Sequence, residues 1–496
     1  MSSSLGLLGI DVGTTGVRVG VLDEHGRVLA EASEGWKHDA PHAGWAEADA
    51  ESWWAAVTRV CRSVVERVGA DRIEAVGVVG QAPTAVLVDA SCRPLAPAIL
   101  WLDVRASEEA RALDTALGPG RAETIGGNRM HPYFLGPKLA WLRTHQPRAL
   151  EAAALVLQSH AFVAMRLTGI AACDPSTAML CAPLFDARSG TWSEEAARAV
   201  GVPMQLLPPI VRAHEVLGGV TRDGAAATGV REGTPVVAGG GDFAACALGA
   251  GVVEEGEACL MLGTAGNLLL PTRAPRFDSR LLNSHHVGAE RWLVLAGTLC
   301  GAALEWFRRT FGPDTPWGTL EAEAAGAPPG ADGVVVLPYL QGERTPIWDE
   351  QARGVFSGLA LHHGRGHLYR ALLEGIALSF RHSLAVAEAT GLQLHEVIAT
   401  NGAGKSALLR QTLADALGTP LLWSAQSGGT LAGAAVLAGL GTGSIREPAI
   451  GRRWLQDAGG LHRHVPDPGA HARLEDVFAR RQAMFRAEIA ARDSLG

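Results

Sequence analysis

Two short stretches of this chain turn the same corner, and that repeat restricts the folds open to it more than any other feature. "GIDVGTTGVRVGVL" spans residues 9–22 and "CLMLGTAGNLLL" spans 259–270. In the first, the apolar run Leu7 to Ile10 enters Gly13-Thr14-Thr15-Gly16, and Val17, Val19 and Val21 then alternate with Arg18 and Gly20. Alternation of period two is the pattern of a half-buried strand, so the stretch predicts a β-hairpin. In the second, Gly263-Thr264-Ala265-Gly266 lies between two strand-like runs. Helical patterning follows each corner, over Glu51 to Val68 and Glu108 to Leu117 in the first half and over Gly301 to Thr310 and His367 to Thr390 in the second. A chain of 496 residues is too long for one core. Two related αβ domains, with the corners facing each other across a cleft, are expected.

The corners suggest a chemistry. Gly13 and Gly16 are expected to allow positive φ and to leave N–H groups uncovered, and Thr14 and Thr15 add hydroxyl donors, which together would cradle phosphate. Asp11 would supply a hard oxygen ligand for a hydrated Mg²⁺ beside it. An ordinary hairpin with Asp and Thr capping its turn is the competing reading. Composition narrows the field. Basic residues number 43 against 51 acidic ones, for a net charge of −8, and no Lys or Arg run could track a nucleic-acid backbone, so a nucleic-acid partner is not expected. Arg18 is the first basic residue, which argues against a secretory signal, and the seven cysteines form no C-x-x-C pair, so buried thiols and a cytoplasmic location are expected. Residues 416–445 carry no charge but contain Pro420 and seven glycines, so they read as strand, glycine turn and buried helix (Leu431 to Leu440), with no membrane association expected.

The boundary between halves is expected within "PVVAGGGDFAACALGAGVV", residues 235–253, where three glycines precede Asp242. A carboxylate presented at the end of a strand is well placed as a general base, and capping of a helix that begins at Ala244 is the alternative. "VIATNGAGKSALL", residues 397–409, nearly reproduces a P-loop, but Ala399 stands where the first glycine is required. Its small residues suit the flat face of an adenine better, with Ser427-Gly428-Gly429-Thr430 as a second glycine turn. The pairs His285-His286 and His362-His363 lack further ligands at metal spacing, which argues against zinc. The tryptophans of "ESWWAAVTRV" read as helix packing. Trp101, Asp103 and Arg105 in "AILWLDVRA" stand after an apolar strand, as a pocket lining or as a surface ion pair.

With "GIDVGTT", "PHAGWAEADAESWW", "ILWLDVRA", "GPKLAWL", "PVVAGGGD", "LGTAG", "LPYLQGERTP", "GVFSGLALHHGRGHLYRALLEG" and "LRQTLADALG" in view, the chain resembles the FGGY carbohydrate kinase family over nearly its full length, most closely the xylulokinase branch. The resemblance implies an α/β fold of two actin-like, RNase H-type domains around a catalytic cleft, here expected over residues 1–247 and 248–496. It implies transfer of the γ-phosphoryl group of ATP, with Mg²⁺, to a small sugar or polyol, and a homodimer as one expectation for assembly. Carried over by position, the catalytic base falls on Asp242 and the metal-associated aspartate on Asp11. The nucleotide-binding positions fall on Gly13, Thr14, Thr15, Gly263, Thr264, Gly402, Ala403 and Gly404, where Asn401-Gly402-Ala403-Gly404 replaces the usual three glycines and alanine.

The substrate positions fall on Gln81, Ala82, Pro83, Trp101, Asp103, Asp242 and Phe243, with Tyr133 or Phe134 at a pocket wall. Xylulokinases have Met and His where this chain has Ala82 and Pro83, and Asn where it has Phe243; the Arg-Glu pair of glycerol kinases is absent too. A ketose or polyol other than D-xylulose is therefore expected. A true xylulokinase with an altered pocket is the alternative, and an actin-like ATPase without a sugar substrate is the rival from another class.

Overall fold

The computed structural model describes residues 5–400, 402–425 and 429–495. Asn401, Gln426, and Ser427 and Gly428 of the second glycine turn lie outside the described residues. Strands β1 (Gly6–Val12) and β2 (Gly16–Asp23) pair antiparallel from Gly6 opposite Asp23 to Val12 opposite Val17, as their alternation requires. β3 (Val28–Gly35) extends the meander, helix α1 (Ala50–Val68) crosses the sheet, and β4 (Ile73–Gly80) returns parallel to β1. Helix α2 (Ser159–Thr168) and strands β5 (Val216–Gly219), β6 (Pro235–Val237) and β7 (Gly240–Gly241) complete a sheet of order β5-β6-β4-β1-β2-β3, with β7 beside β4. Asp49 starts α1 by accepting from the backbone N–H of Glu51, and the helix buries Trp53, Val57, Val60 and Val64 against the sheet, so its tryptophans do serve packing.

Helix α3 (Asp242–Gly249) leads into the second half. There β8 (Glu257–Leu262), β9 (Ala265–Thr272), β10 (Leu282–His285) and β11 (Trp292–Leu299) form an antiparallel set, and α4 (Gly301–Phe311) and α5 (Arg365–Ala389) follow. β12 (Glu396–Thr400), α6 (Ala407–Leu417), β13 (Leu421–Trp423), α7 (Gly429–Thr442) and β14 (His462–His464) close a sheet of order β10-β11-β9-β8-β12-β13-β14. Its centre repeats the first sheet. A three-strand antiparallel meander is followed by two strands parallel to the meander's first, β4 and β6 beside β1, β12 and β13 beside β8. The repeated corner therefore reports a repeated fold.

The two halves are joined by a crossed helix pair. α3 follows the first sheet and contacts β8 and β9 of the second, and α7 follows the second and packs on β1 and β4 of the first. Their backbones nearly touch: a Cβ on Gly433 would stand 1.9 Å from the carbonyl oxygen of Ala245, and one on Gly249 would stand 2.1 Å from that of Gly429. Residues 429–439 of the uncharged stretch are thus buried between the two halves, and among the described residues no helix is long and apolar enough to cross a membrane. All seven cysteines are buried and unpaired.

Candidate active site

Both corners close with a single backbone bond, Gly13 N–H to Gly16 O at 2.9 Å and Gly263 N–H to Ala265 O at 3.0 Å. The positive φ expected at Gly13 and Gly16 is not adopted. Crowding explains the glycine at position 16, where a Cβ would lie 2.5 Å from the carbonyl oxygen of Glu34 on β3. Thr15 and Thr264 are exposed at the tips. Thr14 is held from two sides, its hydroxyl accepting from the indole of Trp101 at 2.9 Å and its carbonyl from that of Trp36 at 3.0 Å.

Asp242 opens α3 itself, with Gly241 as the N-cap. Capping of a helix from Ala244 is therefore not its role. Its Oδ1 accepts from the N–H of Phe243 at 2.7 Å, and its Oδ2 has no partner among the described residues. Burial pushes its carboxyl up to about 6. Asp11, at the end of β1, is pushed up to about 8 by burial and by the neighbouring Asp242 charge, against the pull of Arg18, and its Oδ1 is buried without a partner. Two carboxylates so placed, one with an orphaned oxygen, form a donor set that fits a hard divalent cation.

Gln81, expected on the substrate side, donates its N–H to Val12 O at 3.0 Å and turns its amide toward Gly13 O at 3.4 Å, which ties residues 81–83 to the first corner. Ala82 and Pro83 follow, buried, across a cis peptide bond. Tyr133 donates its hydroxyl to Ala82 O at 3.3 Å and stands edge-on to Trp101 at 6.2 Å, while Phe134 sits behind it, fully buried. Phe243 and Ala82 pack into the same apolar cluster, with Trp101 against its edge.

Asp103 and Arg105 are placed otherwise. Asp103 is fully buried and spends its oxygens on the N–H of Ala46 and on Arg105. Arg105 also pairs with Glu47 at 2.6 Å and lies 3.6 Å over the ring of Trp45. The pair is neither a pocket lining nor a surface ion pair; it is a closed network with Ala46, Glu47 and Trp45.

Sequence reasoning passed over two residues here. Lys138, buried and lowered to about 7 by that burial, donates to Leu100 O at 2.7 Å and Tyr133 O at 2.9 Å, and so fixes both aromatic walls. Its only signal is a lysine inside the otherwise apolar "GPKLAWL". Arg344 reaches over from the second half, its guanidinium 5.1 Å from the Trp101 ring and 5.4 Å from that of Tyr133.

The second corner opens into a cavity of about 1070 Å³ lined by Gly263, Thr264, Trp306, Arg309, Gly402, Ala403, Lys405 and Ser406, among others. Four of the expected nucleotide residues therefore share one space. Gly404 lies behind it, where a Cβ would stand 3.2 Å from the indole nitrogen of Trp423. Ser406 caps α6 by accepting from Leu409 N–H at 3.1 Å, so the near-P-loop is a helix start beside this cavity.

Residues 7–249 match the FGGY family of carbohydrate kinases, N-terminal domain, and residues 258–442 its C-terminal domain. The chain is 36% identical over 418 residues to a xylulose kinase of Escherichia coli, covering 84% of this chain and 85% of that one. It is 33% identical over 459 residues to a glycerol kinase of Alkalilimnicola ehrlichii, covering 88% and 90%. The crystal structure of a xylulose kinase from Rhodospirillum rubrum superposes with a TM-score of 0.89 at 31% identity, over 97% of this chain and 98% of that one. With its duplicated actin-like fold, the chain belongs to the FGGY family of carbohydrate kinases, in its xylulokinase-like branch, and is a phosphotransferase with an alcohol group as acceptor.

Proposed function

We propose that this kinase transfers the γ-phosphoryl group of ATP to a hydroxyl of a small ketose or polyol other than D-xylulose, with Asp242 as general base. The observation that carries this reading is the Asp242 carboxylate, whose free Oδ2 and pKa of about 6 suit a base working near neutral pH. The substrate hydroxyl donates to Asp242; as its oxygen bonds to the γ-phosphorus, the proton passes to the carboxylate and the bond to the β–γ bridging oxygen breaks, leaving ADP. Thr14, Thr15 and Thr264 offer hydroxyl and backbone donors to the phosphates from the two lobes, taken as residues 1–247 and 248–496, and Gly13 and Gly263 close the nucleotide corners that present them. Gly402 and Ala403 flank the adenosine, with Gly404 supporting them from behind. Mg²⁺, for which the orphaned Asp11 oxygen is suited, would disperse the phosphate charge when bound.

Gln81, Ala82, Pro83, Trp101 and Phe243 make up the sugar side, and Asp103 stays in its closed network. Two of these positions, Pro83 and Phe243, stand where xylulokinases have a hydrogen-bonding His and Asn, and Ala82 stands where they have Met. A site without such groups cannot offset the desolvation of the substrate's hydroxyls. Identity of 36% to a xylulose kinase favours the second reading, a xylulokinase with a rebuilt pocket. ADP release measured with and without pentuloses, hexuloses, aldonates and alditols tests both readings. Sugar-dependent release with a substrate other than D-xylulose preferred supports the first; D-xylulose preferred by tenfold or more supports the second; release independent of sugar refutes both.

A further inference from the structure

Ala82, Pro83 and Phe243 give the N-terminal wall of the sugar site no side-chain donor, and the opposite lobe extends one toward it. The guanidinium of Arg344 lies against the faces of Trp101 and Tyr133, at 5.1 and 5.4 Å from their centroids. Its backbone is fixed. Arg344 N–H donates to Glu343 Oε1 at 2.9 Å, Glu343 Oε2 accepts from the Thr298 hydroxyl at 2.6 Å, and the Thr345 hydroxyl accepts from Gly297 N–H at 2.6 Å. The segment is thereby anchored to β11. Gly297 also leaves the side chain its passage, for a Cβ there would stand 3.0 Å from Arg344 Nη2 and 2.7 Å from Asn267 Oδ1.

Among the described residues no Asp or Glu side chain forms an ion pair with this guanidinium, whose side-chain hydrogen bond goes to the Tyr133 hydroxyl. A cation stacked on aromatic rings is stabilised through its face, and of its five N–H donors the bond to Tyr133 uses one, which leaves an N–H fork at its edge for an acceptor. That fork matches the lone pairs of a carbonyl or carboxylate oxygen better than a hydroxyl, which competes as a donor itself.

We propose that Arg344 is a specificity-determining residue of the sugar site and donates to a carbonyl-type oxygen of the substrate, the keto oxygen of a ketose or the carboxylate of an aldonate. The substrate then bridges the lobes, with its reacting hydroxyl at Asp242 and its carbonyl-type oxygen at Arg344. This rests on the kinase reading above and narrows it, since an alditol offers no such oxygen.

The test compares kcat/KM for matched probes, D-ribulose with ribitol and D-gluconate with sorbitol, in the wild type, Arg344→Gln and Arg344→Lys. The wild type should prefer the carbonyl-bearing member of at least one pair by tenfold or more. Arg344→Gln should lower kcat/KM for that member by about 10–100-fold, the value of a charge-assisted hydrogen bond, and change the alditol little. Arg344→Lys separates the two sources: it should retain most activity if the favoured probe is D-gluconate and lose it if the probe is D-ribulose. A purely structural Arg344 would lower both members of a pair alike. An unchanged ratio in Arg344→Gln, or an alditol equal to its partner in the wild type, overturns the proposal and leaves the kinase reading standing. Should Arg344→Gln fail to fold, the wild-type ratio and Arg344→Lys decide. ADP release that no sugar stimulates overturns both.

Discussion

The indole N–H of Trp101 donates to the hydroxyl of Thr14 over 2.9 Å, so the proposed wall of the sugar pocket and the proposed first phosphate corner share a hydrogen bond. Such a bond couples the placement of the two substrates. Trp101→Phe keeps a ring beside Tyr133 but removes the donor. A net hydrogen bond is worth about 1 kcal/mol, so kcat/KM should fall by roughly 5–10-fold for sugar and ATP alike. Steady-state kinetics with each substrate varied in turn checks this, and a loss confined to the sugar would uncouple wall from corner.

Asp11 is a poor contributor to stability, with a buried oxygen unpartnered and a second carboxylate nearby. Asp11→Asn removes that charge and should melt no lower than the wild type. Activity should nevertheless require several-fold or more additional Mg²⁺. Thermal melts together with a Mg²⁺ titration of turnover read both effects, and an unchanged Mg²⁺ dependence would return Asp11 to turn capping.

His286 makes stability depend on pH. Its Nδ1 accepts from Gly288 N–H and its Nε2 faces Val252 O, both at 3.1 Å, so the folded chain holds the ring neutral. Burial lowers its pKa from 6.5 to about 4. The unfolded chain therefore takes up a proton that the folded chain refuses. This contribution is complete above pH 6.5 and drains away as pH falls toward 4, by about 1.4 kcal/mol at pH 5.5. Urea denaturation at pH 7.5 and 5.5 should show a smaller pH-dependent loss, by about that amount, in His286→Gln than in the wild type.

Gly433 sets two effects against each other. Alanine favours a helix by about 1 kcal/mol over glycine, yet the added carbon would stand 1.9 Å from the Ala245 carbonyl oxygen. Backbone cannot yield as a side chain does, and overpacking costs roughly 1–3 kcal/mol or more. Gly433→Ala should therefore lower the urea midpoint; a raised midpoint would show that α3 and α7 separate freely.

The hairpins, α1, α4 and α5 were legible because each carries its own periodicity, and the buried helix at 429–442 because its stretch is uncharged, broken by glycines and too short to cross a bilayer. Asp242 stood out because three glycines precede it at the end of a strand. Asp103 and Arg105 were misjudged because adjacency in the chain says nothing about depth, and only the fold reveals Ala46, Glu47 and Trp45 closing around them. Arg344 escaped notice for a related reason. Its partners, Trp101 and Tyr133, lie more than 200 residues away in the other lobe, and no local pattern records a contact across a cleft.

The central claim, that Asp242 takes the proton of the attacked hydroxyl, is tested most directly by sugar-dependent ADP release from Asp242→Asn. Asparagine keeps the shape and can still accept from Phe243 N–H, but it cannot take the proton. Turnover should fall by about 10²–10⁴-fold while the Kd for sugar changes little. A folded Asp242→Asn protein that turns over within tenfold of the wild type would contradict the account.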